Sequence, residues 1–132
     1  MEDFIKQPHK RVILKGERLI MKKAEFYINV INGKDTKEYP KVSGWVEEIK
    51  DSKGRKIQVG YDKVGDHWRA TEILTGYKCN TLTYCRTRAD CVEDVHNNID
   101  MITNALQQTV QGKHNEKYIQ PFREFVLNGR GV

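Results

Sequence analysis

From residue 10 to residue 86, apolar and polar positions alternate in short runs broken by turn signals. Lys10-Arg11-Val12-Ile13-Leu14-Lys15 and Arg18-Leu19-Ile20-Met21 flank Gly16 and predict two strands. Phe26, Ile28 and Val30 place one apolar face on a strand that ends at Asn32-Gly33, the strongest short hairpin signal. Beyond Pro40, Val42 through Ile49 mixes strand formers with Gly44, and Asp51-Ser52-Lys53-Gly54 supplies a turn. Ile57, Val59 and Tyr61 then alternate with Lys56, Gln58 and Gly60, as a half-buried strand does. Gly65-Asp66 turns the chain into His67 through Leu74, and Thr75-Gly76 turns it again into Tyr77 through Arg86. Connections this short predict an antiparallel meander of about five to six strands. Along the run from His67, alternation puts His67, Arg69 and Thr71 on one face. Trp68, Ala70 and Leu74, with Glu72 as a further candidate, fall on the other, with Trp68 in the core.

The period changes at residue 87. Thr87-Arg88-Ala89-Asp90 has the form of a capping box, with Thr87 as N-cap and Asp in place of the usual Glu or Gln. Val92, Val95, Ile99, Ile102, Leu106 and Val110 recur every three or four residues, while Asp90, Glu93 and Asp94 complement the helix dipole. A long helix over about 88–111, ended by Gly112, follows. A shorter helix is expected between about 115 and 127, where Tyr118, Phe122, Phe125 and Val126 share a face. Pro121 either opens it near Gln120 or bends a helix that starts at Asn115. The fold class is therefore α+β: a meander over about 10–86, then two C-terminal helices over about 88–127 packed on it. Residues 1–9 are an ordered arm or a frayed tail.

A length of 132 residues accommodates one hydrophobic core, so a single domain over 1–132 is expected. No apolar run approaches a membrane span, and the chain opens with acidic Met1-Glu2-Asp3. No membrane partner is expected, and a cytoplasmic location follows. The formal charge of +5 is unevenly spread. Residues 77–88 carry Lys78, Arg86 and Arg88 with no acid, whereas 89–111 carry Asp90, Glu93, Asp94 and Asp100 with no base. A basic face attracts phosphates and acidic proteins. Along the long helix, Asn97, Asn98, Thr103, Asn104, Gln107, Gln108, Thr109 and Gln111 are uncharged. Charge-poor helix faces mark interface cores, so a homo-oligomer built on the helices is expected.

Candidate chemistry is sparse. Cys79, Cys85 and Cys91 recur at equal spacings of six, without the close pairs of a zinc site. On one strand Cys79 and Cys85 would sit about 20 Å apart, beyond a disulfide's reach. Reduced, partly buried thiols are expected, with no metal and no cofactor. There is no glycine-rich phosphate loop, nucleophile elbow or metalloprotease helix motif. A Cys–His pair could be drawn from Cys79 or Cys85 with His67, but no local signature supports it. His96 borders the apolar stripe and is expected at its edge or facing solvent. Glu47, Glu48, Asp62, Asp66 and Glu72 read as solvent-facing carboxylates.

The remaining constellation suits binding. Arg69, Arg86 and Arg88, supported by Lys78, Tyr77, Thr87 and His67, form the candidate ligand-binding surface. Arginine forks grip phosphates, a helix start favours anions, and Tyr77 or Tyr84 offers a stacking face. The alternative is that Arg88 merely pairs with Asp94 or a neighbouring carboxylate and Arg69 decorates a solvated strand. The segment Trp68 through Tyr77 followed by Thr87-Arg88 at a helix start resembles small accessory proteins of bacteriophages and mobile elements. The resemblance implies a short protein that interferes with host machinery, as anti-defence proteins do by sequestering nucleotide signals or blocking a host enzyme. It assigns no functional residue. The leading expectation is a non-enzymatic binding or inhibitory protein for an anionic partner, either a nucleotide or a host protein or nucleic acid. A sequence-tolerant nucleic-acid-binding module and a small phosphate- or sugar-directed enzyme are the alternatives.

Overall fold

Turn chemistry and alternation place the strands at 41–50, 56–64 and 67–72 close to the sequence expectation, whereas the expected run Phe26 to Ile31 is divided, one strand ending at Tyr27 and another beginning at Val30. The computed structural model describes residues 21–31, 37–111 and 116–130. The expected strand at 10–15, nearly all of that at 18–21, the 1–9 arm, Asn32-Gly33 and Gly112 lie outside the described residues. Among the described residues there are six strands: β1 (Lys22–Tyr27), β2 (Val30–Ile31), β3 (Lys37–Glu38), β4 (Lys41–Lys50), β5 (Lys56–Val64) and β6 (His67–Glu72). Only β1, β4, β5 and β6 share a sheet, antiparallel and in the order β1-β4-β5-β6, while β2 and β3 pair as a separate two-residue ribbon. Among the described residues the meander thus has four strands, not five to six.

The missing strand is the run Tyr77 to Arg86. It does return along the edge of β6, with Thr71 bridging Lys78 and Trp68 bridging Cys85. Backbone bonds run from Glu72 N to Tyr77 O and from Cys79 N to Ala70 O, both 2.9 Å, and from Trp68 N to Cys85 O at 2.8 Å. Between these anchors the pairing is made by a side chain: Ala70 N donates to Asn80 Oδ1 at 3.0 Å, and Asn80 Nδ2 donates to Leu82 O at 2.7 Å. Asn80 offers the backbone an alternative to the ladder. The chain at 80–84 consequently leaves the sheet, and Asp94 holds it through Thr81 N at 2.6 Å and the Thr81 hydroxyl.

Each face of the sheet has its own core. The register pairs Tyr61 with both Trp45 and Ala70, and Val59 with Glu47 and Glu72, so these residues share one face. There Ile49, Val59, Tyr61 and Ala70 pack on Val92, Val95 and Ile102 of the helices, with Trp68, Ile99 and Leu106 at the margin. The opposite face carries Phe26, Ile28 and Ile73 with Val42 and Val46 beside them. Fully burying a side chain of this size contributes roughly 1.5–3 kcal/mol. Two glycines set the shape of this second face. A Cβ on Gly60 would lie 2.5 Å from the Phe26 ring, and one on Gly44 would lie 2.0 Å from the Tyr61 carbonyl oxygen. Phe26 therefore reaches from β1 across β4 onto the bare backbone of β5.

The helical stretch begins as its capping box predicts. Thr87 is the extended N-cap of α1 (Arg88–Asn97), and its hydroxyl accepts Asp90 N at 3.0 Å. The apolar stripe then continues into α2 (Ile99–Gln111), with a break at Asn98. The Asn98 side chain donates to the Asp94 carbonyl at 2.8 Å, and its backbone N–H shifts to Val95 O at 3.2 Å. The Asn side chain takes the carbonyl that helical continuation would give to its own N–H. α3 (Glu116–Phe125) contains Pro121 in its interior and is followed by a turn over Val126–Arg130 that kinks at Gly129, whose φ of 83° lies in the left-handed region. Tyr39 meets Phe122 and Phe125 at 5.3 and 5.0 Å between ring centroids, and Tyr27 meets Phe125 at 4.7 Å. Asn29 ties this corner together, its Nδ2 donating to Tyr118 O at 3.1 Å. Among the described residues no helix is long and apolar enough to cross a membrane.

Candidate functional site

The basic residues expected to form one surface are divided by the pleat. Arg69 lies on the face opposite α1, because it pairs with Asp62 while its neighbours Trp68 and Ala70 face the helices. One edge of its fork is engaged: Nε and Nη2 donate to the two oxygens of Asp62 at 3.0 and 2.6 Å. Asp62 is buried, and the pair is bidentate. His67 and Lys78 share this face by register, since Lys78 bridges Thr71. The His67 ring rests against Tyr84 at 5.5 Å and lies 3.4 Å from Asp66 Oδ1. Tyr77 is half-buried beside the Glu72 backbone. The Cys–His pair considered from sequence does not form here: Cys85 bridges Trp68 on the helix side, and His67 points to the other face.

Arg88 belongs to a different environment. Its guanidinium lies 4.8 Å from the centroid of the Trp45 ring, within cation–π range. Lys23, the cross-strand neighbour of Trp45, places its ammonium 5.8 Å from the same ring. Asp94 does not answer Arg88; its carboxylate is occupied by Thr81, Leu82 and Asn98. Exposed Arg86 precedes the Thr87 cap, and exposed Lys63 lies opposite Trp68 on the same side of the sheet. Lys23 and Arg88 thus meet at Trp45 near the start of α1, with Lys63 beside Trp68 on the same side of the sheet, while the charge of Arg86 acts on Tyr84. The sequence reading contained Arg86, Thr87 and Arg88 but missed Trp45 and Lys23. Their only signal was strand pairing across 22 residues, invisible to local pattern.

A second cluster is wholly interior. The Tyr61 hydroxyl donates to Glu47 Oε2 at 2.6 Å, and His96 Nε2 lies 3.0 Å from the same oxygen. The Glu47 and His96 side chains are only 3% and 7% exposed, which corrects the expectation of a solvent-facing carboxylate and a bordering histidine. Burial, and then the Glu47 charge, pushes the Tyr61 hydroxyl far above its ordinary range. Glu72, also expected at the surface, is buried and accepts Leu74 N and Thr75 N, both at 2.9 Å. Burial raises its carboxyl despite those bonds. Cys79, Cys85 and Cys91 lie in the same core, where burial raises each thiol and Cys85 and Cys91 hydrogen-bond to one another. Raised thiols are poor nucleophiles and poor metal ligands.

The tip of the β4–β5 hairpin docks on α2. Burial alone would raise the Asp51 carboxyl, but hydrogen bonds from Thr103, Arg55 and Lys53 outweigh it and hold it at about 2. Arg55 also donates to Gln107 Oε1 at 2.6 Å and to Asn104 Oδ1 at 2.8 Å. Beside this joint a cavity of about 240 Å³ opens between β5, the turn after β6, α2 and α3. Ile57, Leu74 and Leu106 line it, together with Glu72, Lys56 and Arg123. Arg123 Nε is covered and has no hydrogen-bond partner among the described residues. A buried N–H left in this state costs about 1–3 kcal/mol.

No protein-family model, no curated protein and no solved structure matches the chain.

Proposed function

We propose that this protein acts by binding an anionic partner without transforming it, through the basic surface around Trp45 where α1 begins. The observation that carries the reading is Arg88, stacked on Trp45 with no carboxylate of the described residues closing its fork. A guanidinium held on a ring has lost much of its rotamer freedom, so less is lost when it grips a phosphate or carboxylate. Lys23 adds charge at the same ring, Arg86 precedes the cap in the chain, and Thr87 fixes the helix start against which the anion would rest. The groups best suited to acid–base work, Glu47, His96 and Tyr61, are sealed in the interior and bonded to one another. That arrangement supports folding more than turnover.

A nucleotide is the first choice of ligand, and a host protein or nucleic acid presenting phosphates or carboxylates is the larger form of the same partner. An accessory protein that sequesters a nucleotide or blocks a host factor would work in this way. Calorimetric titration with cyclic and linear nucleotides and short oligonucleotides tests the reading. Arg88→Ala should weaken binding by about 1.5–3 kcal/mol, roughly 10- to 100-fold, and Arg86→Ala should weaken it less. A nucleotide should lose affinity mildly with salt and a polyanion steeply. Tight binding that Arg88→Ala and Arg86→Ala leave unchanged moves the site elsewhere.

A further inference from the structure

The cavity between β5, α2 and α3 combines features that no part of the proposed surface shares. Its walls are apolar where Ile57, Leu74 and Leu106 meet, and Leu74 is 43% exposed beside the opening. A guanidinium stands in that wall without an ion pair: among the described residues no carboxylate approaches Arg123 within salt-bridge distance, and its Nε has no acceptor. The one carboxylate in the lining, Glu72, spends both oxygens on the N–H groups of the turn that follows it, and the Arg123 charge acts on it without a direct bond. Arg55, also in the lining, is already satisfied by Asp51, Asn104 and Gln107. Lys56 adds a further positive charge at the rim. The lining therefore offers hydrophobic contact, more basic than acidic side chains, and a guanidinium that acts on the Glu72 charge without a carboxylate in direct contact.

We infer that this cavity is a binding site for a small organic monoanion, a carboxylate carried on an apolar body about the size of one aromatic ring. The acid would give Arg123 a direct carboxylate partner, and the body would cover Ile57, Leu74 and Leu106. Size sets the class. A cavity of about 240 Å³ falls below the range of about 300–1,000 Å³ that holds drug-sized ligands, so a whole nucleotide would not be enclosed. The site is separate from the Trp45 surface and does not rest on the reading given to that surface.

The test is an amide-resolved NMR titration of the full chain with benzoate and hexanoate. Benzamide serves as the neutral isostere, and acetate and inorganic phosphate as anions without an apolar body. Saturable binding below about 1 mM is expected for at least one of the two carboxylates. Shifts should fall at 55–57, 72–75, 103–107 and 119–123, leaving the Trp45 indole unmoved. Benzamide should bind at least roughly tenfold more weakly, and acetate and phosphate should not saturate. Arg123→Met should cost roughly 10- to 100-fold in affinity. Should that variant fail to fold, Leu74→Glu keeps the test alive, since a negative charge at the exposed mouth repels the same ligand and should weaken binding at least tenfold. No saturation by either carboxylate, equal binding of benzamide, or shifts centred elsewhere would overturn the inference.

Discussion

Asp62 and Arg69 show how a residue that looks available in sequence can be spent inside the fold. Both oxygens of a buried carboxylate receive the two N–H groups of one guanidinium. Removing the arginine leaves that carboxylate uncompensated, whereas removing both charges does not. Arg69→Ala should therefore lower stability by about 2–4 kcal/mol, read as a fall in the urea midpoint. Asp62→Leu combined with Arg69→Leu should recover most of the loss. If Arg69→Ala unfolds at the wild-type midpoint, the pair is not structural. Glu47 makes the complementary point. Its neighbours Tyr61 and His96 lie 14 and 49 positions away in the chain, so no local pattern could mark it as buried.

At the scale of elements, the sheet's second face depends on a close approach between strands that are not neighbours. Phe26 lies on Gly60, and any Cβ there would sit 2.5 Å from its ring. Gly60→Ala should cost about 1–3 kcal/mol by overpacking, and Phe26→Leu in the same chain should return part of it, a coupling that a double-mutant cycle would resolve. Additive losses would show that the contact is not the cause. The sequence reading found β4, β5, β6, the turns at 51–54 and 65–66 and the Thr87 cap because each has a local signal: alternation, turn residues or a capping side chain. It assigned Gly60 to a strand without seeing why glycine is needed, since the reason sits on β1. It also extended a strand through Tyr77 to Arg86, where strand-forming residues occur but Asn80 replaces the ladder. Asn98 divides the long helix by the same side-chain competition, and the apolar stripe, which continues through the break, conceals it. The candidate site was legible as composition, basic and aromatic, but not as geometry. The pleat separates Arg69 from Arg88, and pairing across β1 and β4 supplies Lys23 and Trp45.

For the molecule as a whole, self-association through the helices is proposed on a narrower basis than the sequence suggested. Asn104 and Gln107 accept hydrogen bonds from Arg55 within the chain, so their lack of charge has an internal explanation. What still faces outward on α2 is Met101, 54% exposed, with Ala105 and Gln108. Light scattering at micromolar concentration should give a multiple of 15.4 kDa, and Met101→Lys should reduce it towards the single-chain mass. A single-chain mass for the unaltered protein refutes the proposal. The edge of β6 bears on assembly in the opposite sense. Fibrils and swapped dimers grow when an unpaired strand offers its free backbone groups as a template. Along this edge the donors of Trp68, Ala70 and Glu72 are already taken by Cys85 O, Asn80 Oδ1 and Tyr77 O, and the bulge at 80–84 stands in the path of an incoming strand. A side chain, unlike a paired strand, cannot be copied onward. This flank of the sheet is thereby closed to templated growth, even though no further strand among the described residues covers it.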